Sequence, residues 1–240
     1  MSTKKSPRRG GAIPPLLFVE AFDTSRLIPS LYSPNEDSVL VDVVHNPKYL
    51  QKVFDFDDAT NDRLLIEGSE FDKIDETELV AGIPYASVIN AAYTHSHKEG
   101  NRFSVFNRNA WYAGLNIRTS QIEVIFHRTI ELHEMRVYEH ESTYDEYLAD
   151  FRCQLHDLRG LSEGDPILSP TSYVESQKLA EKLFGTGSLG LIYSSVRDAQ
   201  GTCIACFRPA LVTNVRKGVT YRFRWVGQRN PVAVEIEGKH

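Results

Sequence analysis

The chain has 240 residues, of which 41% are hydrophobic and 25% are charged. This composition excludes disordered, collagen-like and coiled-coil proteins, and the length fits one domain with a sizeable core better than two small ones. The formal net charge of −5 argues against nucleic-acid binding through bulk charge.

The cysteines and the start of the chain bear on where in the cell the protein is expected. Three cysteines provide no disulfide framework, because an odd count leaves one thiol unpaired. No apolar run has the length of a signal-peptide core or the ~18 to 20 residues of a membrane span. We therefore expect a cytoplasmic protein without a membrane segment, whose basic residues 1–11 form a flexible tail that does not bind nucleic acid directly.

The first third of the chain predicts few elements. Residues 38–44 are rich in β-branched side chains and predict a strand, and a helix is expected to begin after Asn46-Pro47. Residues 61–67 predict a second helix. Residues 1–75 are the most separable part, an N-terminal extension, and residues 76–240 form the main domain in one compact unit with it.

The middle of the chain predicts two helices and a hairpin. The small apolar run Ala86–Tyr93 predicts a buried helix, and residues 101–115 predict two strands around a turn at Asn107–Asn109. Residues 119–134 form the clearest amphipathic helix. Its apolar stripe consists of Ile122, Ile125, Phe126 and Ile130.

The second half of the chain predicts mainly strands. Residues 135–158 are expected to be extended, with alternating half-buried side chains at Tyr147, Ala149, Phe151, Cys153 and Leu155. A helix is predicted from Ser169-Pro170 to a left-handed cap at Gly185. Strands follow at 189–194, 202–207, 220–226 and 232–236, with a turn at 198–201. This order predicts an α+β fold with a mixed, mostly antiparallel split sheet and flanking helices.

One glycine motif and one cysteine motif resemble binding sites, but both have structural explanations. Gly185–Gly190 matches G-x-G-x-x-G, but the predicted order is helix, glycines, strand, whereas a dinucleotide fingerprint needs strand, glycines, helix. Cys203 and Cys206 form a C-x-x-C within a predicted strand, where they point to opposite faces. No second cysteine pair completes a zinc site, so we expect packed cysteines.

Two other pairs have spacings that metals use. His95 and His97 are expected on one side of an extended segment, and Glu123 and His127 lie one helical turn apart. Neither pair has a third ligand at a recognisable spacing, so we predict no metal site.

Four polar residues have a structural interpretation beside a catalytic one. Glu123 would complete a capping box with Ser120. Arg102 fits a surface strand, Tyr112 an ordinary sheet aromatic, and Ser195 a strand end. None of them identifies a site alone.

In combination, however, the chain resembles the RES-domain family, named for an arginine, a glutamate and a serine. The resemblance covers residues 26–210 in family order. It rests on Arg26–Ser30, Thr60–Arg63, Ile89–His95, Gly100–Ser104, Trp111–Gly114, Thr119–Arg128, Tyr173–Ala180, Gly190–Arg197 and Ala205–Pro209. Many relatives have Thr-Ala where this chain has Thr119-Ser120, a mild departure.

The resemblance implies the residues of an active site. The family arginine is Arg102, the tyrosine is Tyr112, the glutamate is Glu123 and the serine is Ser195. RES proteins are similar in fold to ADP-ribosyltransferases, which bind NAD in a cleft of a split sheet, and members include bacterial toxins that destroy NAD.

Each residue then has an implied role in cleaving the bond between nicotinamide and ribose. Glu123 stabilises the positive charge that develops on the ribose. Arg102 binds the pyrophosphate or an incoming anion, and Tyr112 stacks on nicotinamide or binds the ribose. Ser195 holds the amide or a ribose hydroxyl.

Further arginines and a tyrosine extend this set. Arg197 is a second binding candidate, and Tyr85 and Arg26 are expected to reach the pocket. Arg118 and Arg197 flank catalytic segments, so that with Arg102 they would supply a phosphate subsite.

The expected function is that of an NAD+ phosphorylase or an NAD+ glycohydrolase. NAD+ is the substrate, inorganic phosphate the co-substrate of the first reaction, and no resident cofactor is expected. Two alternatives stay open: ADP-ribosyl transfer to a protein, and a non-catalytic module that binds NAD or a partner. A helix-turn-helix antitoxin of the Xre type and a second copy in a homodimer are the expected protein partners.

Overall fold

The computed structural model describes residues 13–33, 74–94, 100–104, 108–227 and 233–236. Its strands are β1 (Leu16–Pro29), β2 (Trp111–Gly114), β3 (Glu139–Asp157), β4 (Gly190–Ser194), β5 (Thr202–Cys206), β6 (Thr213–Val226) and β7 (Ala233–Ile236). Its α-helices are α1 (Ala86–Thr94), α2 (Ile117–Glu134) and α3 (Val174–Gly185).

Several predictions for the first hundred residues lie outside the described residues. These are the tail at 1–11, the strand at 38–44, the helix after Asn46-Pro47, the helix at 61–67, and the pair His95 and His97. The buried helix predicted from Ala86 is confirmed as α1.

The strands form one sheet in the order β1-β2-β5-β4-β3-β6-β7, and β1 also pairs with β3. Every pairing is antiparallel except that of β3 with β4. The two parts, β1/β3/β6/β7 and β2/β5/β4, meet where Ser25 pairs with Gly114 and where the end of β3 pairs with Leu191 and Ile192. The predicted α+β class with a mostly antiparallel split sheet is confirmed.

The alternation predicted for β3 is also confirmed. Trp111 of β2 and Ile204 of β5 lie with the inward side chains of this strand in one apolar core. These inward residues are at most 5% exposed: Tyr147, Ala149, Phe151, Cys153 and Leu155. The core therefore fixes β2 and β5 relative to β3.

Strand β1 is not predicted from the sequence. It pairs with β3 from Leu16 opposite His156 to Pro29 opposite Tyr144. The pairing shifts around Asp23, which has a φ of 53°, and Phe18 on the same strand is 57% exposed. Strand β1 has apolar residues on both faces and is interrupted by this bulge. Its sequence therefore does not show the alternation of apolar and polar residues that predicts a strand. The N-terminal segment thus contributes to the sheet, and a domain boundary near residue 75 stays a prediction.

Helix α2 confirms the predicted helix and part of its predicted apolar face. Ile125 of the apolar stripe packs against a core cluster that contains Leu132, but Ile130 is 41% exposed. The buried residues are Thr119, Ser120, Thr129 and Leu132. Three of these four have hydroxyl groups, so hydrophobic periodicity identified only part of the buried face.

Three other boundaries are corrected. Residues 101–104 form a turn and no strand, since Gly100 has a φ of 66° and its Cβ would lie 2.7 Å from the Ser104 carbonyl oxygen. Helix α3 begins at Val174 and not at Pro170, because the Ser169 hydroxyl oxygen accepts from the amides of Thr171 and Ser172 and holds this segment in a bend. Gly185 ends this helix, and the left-handed residue after it is Gly187, with a φ of 73°.

The glycine and cysteine motifs have the predicted settings. Gly185–Gly190 runs from α3 into β4, the reverse of a dinucleotide fingerprint. Cys206 lies in the main core and Cys203 in a second apolar cluster with Phe103 and Tyr193, so the two thiols occupy opposite faces of β5. Of the helices in the described ranges, none is long and apolar enough to cross a membrane.

Candidate active site

Helix α2 is anchored at its start by contacts that exclude a capping role for Glu123. Its N-cap is Asn116, whose Oδ1 accepts a hydrogen bond from the Thr119 amide at 2.9 Å. Ser120 lies inside the helix, where its hydroxyl donates to the Ser25 carbonyl at 2.6 Å and accepts from the Gly114 amide at 3.2 Å. The predicted capping box is therefore wrong.

Glu123 and Ser195 are hydrogen-bonded to each other. The Ser195 hydroxyl, just after β4, donates to Glu123 Oε1 at 2.6 Å. Its oxygen accepts from the amides of Arg197 at 3.1 Å and Asp198 at 3.0 Å. A serine hydroxyl has one donor and two acceptor positions, so all three are used. Ser195 thus orients Glu123, and a direct contact of Ser195 with a substrate amide stays a prediction.

The turn after Ser195 is fastened to α2. The Thr119 hydroxyl donates to Asp198 Oδ2 at 2.9 Å. A Cβ on Gly201 would lie 2.7 Å from Thr119 Oγ1 and 2.8 Å from Asp198 Oδ2. Glycine is therefore required at position 201 for this close approach, which holds Ser195 against Glu123.

Two arginines lie beside this pair, and both contact the segment before α3. Arg102 is buried and donates from Nη1 to the Ser169 carbonyl at 2.7 Å. Arg197 donates from Nη2 to the Pro170 carbonyl at 2.5 Å, and its guanidinium lies 3.4 Å from the centre of the Phe126 ring. Burial lowers the pKa of Arg197, and Arg102 lowers it further by charge repulsion.

Two tyrosines complete the surroundings. Tyr112 accepts a hydrogen bond from the Phe103 amide at 3.0 Å, and burial raises its pKa to about 12. Tyr193, whose ring centroid lies 4.8 Å from that of Phe103, is near enough to Glu123, Tyr112 and Arg102 for their charges to affect its ionisation. Burial raises the pKa of Tyr193 well above its usual value.

Tyr193 was missed as a site residue by sequence reasoning. It lies two positions before Ser195, so strand alternation places both on one face. Its pattern resembles that of a core aromatic, and the sequence offers no other signal.

The remaining candidates occupy different places. Arg26 lies behind β2, donating to the Tyr112 carbonyl at 3.1 Å, and burial lowers its pKa to about 10. Tyr85 packs edge-on against Tyr147 with ring centroids 5.7 Å apart, on the main core. Arg118 is exposed. Arg102, Tyr112, Glu123, Tyr193, Ser195 and Arg197 form one cluster, which is the candidate site.

No metal-binding group of three or more His, Cys, Asp or Glu side chains occurs within the described ranges. His127, the partner of Glu123 in the metal spacing, is exposed. All three thiols are buried and free, and burial raises the pKa of Cys203 and of Cys206 to about 12.

The α+β fold and this cluster of acid, serine and arginines define a candidate enzyme with a polar site along one face of α2. Residues 79–226, more than half of the chain, match the RES domain family. The chain therefore belongs to the RES family, and the resemblance seen in the sequence is confirmed.

Similarity to individual proteins is limited. No curated protein matches the sequence significantly. A chain in the crystal structure of the M. tuberculosis MbcT–MbcA toxin–antitoxin complex is similar at 11% identity with a TM-score of 0.38. The match covers 55% of this chain and 73% of that one.

Proposed function

We propose that this protein degrades NAD+ by cleaving the bond between nicotinamide and ribose. The observation that carries the proposal is the 2.6 Å hydrogen bond between Ser195 and Glu123 beside two arginines, Arg102 and Arg197. A carboxylate fixed through one oxygen keeps the other free for a substrate. Membership of the RES family supports the same assignment.

The cleavage develops positive charge at one carbon. As the C1″–N bond breaks, nicotinamide leaves with the bonding electron pair, and the ribose becomes an oxocarbenium ion. Glu123 stabilises this ion by its negative charge and can bind the adjacent hydroxyls. Ser195 contributes by holding Glu123, so that the charge is in place before the bond breaks.

The rest of the cluster matches the other parts of NAD+. Arg102 and Arg197 provide planar guanidinium groups for the diphosphate. Tyr193 near Glu123 and Tyr112 near Arg102 provide aromatic surface and hydroxyl groups that suit the nicotinamide and its ribose. Arg26 would support Tyr112 through its backbone carbonyl.

The acceptor for the ribose is proposed to be inorganic phosphate. A phosphate oxygen forms the new C–O bond at C1″, and the product is ADP-ribose 1″-phosphate. Arg102 and Arg197 bind the diphosphate, and their combined positive charge also attracts a phosphate dianion into the site. Arg118 is exposed and is not included in this subsite.

The test is product analysis by mass spectrometry. Purified protein is incubated with NAD+, with and without phosphate, at constant ionic strength to exclude screening effects. We expect free nicotinamide, faster loss of NAD+ with phosphate, and ADP-ribose 1″-phosphate. Free ADP-ribose alone at saturating phosphate would make the enzyme a glycohydrolase. ADP-ribose on a protein would indicate a transferase, and unchanged NAD+ a binding module.

The biological setting is proposed to be a toxin–antitoxin pair in the cytoplasm. The partner would be a helix-turn-helix antitoxin of the Xre type that blocks the site, and a homodimer stays a prediction. Co-expression with the product of the adjacent gene tests this: growth arrest relieved by that product supports the pair. Growth arrest that persists would contradict it.

A further inference from the structure

One short segment before α3 holds both arginines of the site. The Ser169 carbonyl oxygen accepts from Arg102 Nη1 at 2.7 Å, and the Pro170 carbonyl oxygen accepts from Arg197 Nη2 at 2.5 Å. These two acceptors belong to consecutive residues, whose Cα atoms are about 3.8 Å apart. The spacing of two guanidinium groups from distant parts of the chain is therefore set by this segment.

The Ser169 side chain keeps these two carbonyl groups available. Its hydroxyl oxygen accepts from the amides of Thr171 at 3.3 Å and Ser172 at 3.2 Å, which closes a bend. If α3 began at Pro170, the Ser169 and Pro170 carbonyls would instead accept from backbone amides one helical turn later. Because the bend replaces that turn, both carbonyls accept from arginines.

An aromatic ring orients each guanidinium in a second way. The Arg102 guanidinium lies 4.7 Å from the centre of the Tyr173 ring, and that of Arg197 lies 3.4 Å from the centre of the Phe126 ring. A ring on one face fixes the plane of a guanidinium, and the carbonyl contact fixes its rotation within that plane. Each carbonyl accepts from one nitrogen of a group with five N–H donors, so these contacts use only part of each fork.

Two oriented forks at a fixed spacing suit a ligand with two linked anionic groups. Each phosphate of a diphosphate can accept from one fork, and forks that are already at the right distance lose less freedom when the ligand binds. A single phosphate depends mainly on the combined positive charge and much less on the spacing. The geometry therefore favours a diphosphate over a single phosphate.

We propose that Ser169 is a positioning residue, which bends the segment before α3 so that its carbonyls hold Arg102 and Arg197 at the spacing of a diphosphate. This deepens the proposed function and rests on it for the identity of the substrate. Ser169 acts through the arginines and not on the reacting carbon. Diphosphate binding is equally needed before and during the reaction, so loss of the Ser169 hydroxyl should raise KM and leave kcat nearly unchanged.

The first measurement uses inorganic pyrophosphate and orthophosphate as probes, with affinities from calorimetry on the whole chain. Ser169→Ala removes the acceptor that closes the bend. We expect about 3- to 10-fold weaker pyrophosphate binding, the effect of losing one ordinary hydrogen bond, and a smaller change for orthophosphate. The ratio of the two affinities should therefore fall, whereas a general loss of folded protein would lower the binding of both probes alike.

Two further variants separate the bend from other effects of the substitution. Ser169→Thr keeps the hydroxyl and should restore both the pyrophosphate affinity and the ratio. Ser172→Ala is the matched control in the same segment, because the Ser172 hydroxyl oxygen accepts from the Val174 amide at the start of α3. It should change neither affinity. Thermal unfolding checks that each variant is folded.

The second measurement is a double-mutant cycle. In an Arg197→Ala background only one of the two forks remains, so the spacing no longer matters. Ser169→Ala should then weaken pyrophosphate binding less than it does in the wild-type chain.

The outcomes separate the two proposals. An affinity ratio that is unchanged by Ser169→Ala, no recovery with Ser169→Thr, effects that add in the cycle, or a wild-type chain that does not bind pyrophosphate would each overturn the positioning role. A wild-type chain that binds pyrophosphate with the expected cycle but leaves NAD+ intact would support Ser169 and refute the proposed reaction.

Discussion

Replacing Glu123 by glutamine removes one negative charge and keeps the shape of the side chain. The amide oxygen can still accept the Ser195 hydrogen bond, now 2.6 Å long, although a neutral acceptor makes it roughly half as strong. The helix start is unaffected, because its N-cap is Asn116. We therefore expect a loss of about 1 kcal/mol in the free energy of unfolding.

The expected effect on the reaction is much larger. Losing a well-placed group that stabilises developing charge costs on the order of 10² to 10³ in kcat. The assay is the steady-state loss of NAD+ at saturating substrate, with thermal unfolding of the same preparations. Glu131→Gln is the control: Glu131 lies on the same helix, pairs with Arg128 at 3.0 Å, and should tolerate the change. Near-normal turnover of Glu123→Gln would refute the role of its charge.

Three more predictions concern the same cluster and the buried thiols. Arg102→Lys should lower NAD+ turnover nearly as much as Arg102→Ala, because lysine lacks the planar fork; recovery of most activity by lysine would show that only charge matters. Ser195→Ala should lower kcat by less than Glu123→Gln, since it frees Glu123 without removing its charge, and an equal or larger loss would assign Ser195 a direct contact with substrate. Cys203→Ala combined with Cys206→Ala should keep NAD+ turnover while losing about 1 kcal/mol of stability per site, and activity lost together with bound zinc would contradict this. Because burial raises both thiol pKa values from 9.0 to about 12, stability should be complete below pH 9 and fall as the pH rises toward 12. This alkaline loss, measured by denaturant unfolding, should be smaller in the double variant.

The elements that were predicted from sequence are those whose pattern is local. The alternation from Tyr147 to Leu155 identified β3, and the length and period of residues 119–134 identified α2, because side-chain direction repeats every 2.0 or 3.6 residues. Position relative to proline and glycine also gave the order of α3 and β4, although α3 begins at Val174 and not at Pro170. Strand β1 escaped prediction since its bulge at Asp23 interrupts the period.

The site was predicted from a family resemblance and not from local pattern. Arg102, Tyr112, Glu123 and Ser195 are ordinary residues of a turn, a strand, a helix and a strand end when considered singly. The capping box at Ser120 was wrong, because only the folded chain shows that Asn116 caps the helix. Tyr193 went unnoticed because burial beside a charged cluster cannot be read from alternation.

The sequence alone determined the class of fold, most of the elements and the residue types available for catalysis. The tertiary structure decided which of these residues meet. Ser195 and Glu123 are 72 positions apart and Arg102 and Ser169 are 67 apart. Such contacts arise because packing of the sheet around one core brings distant segments together, and no local propensity encodes that distance.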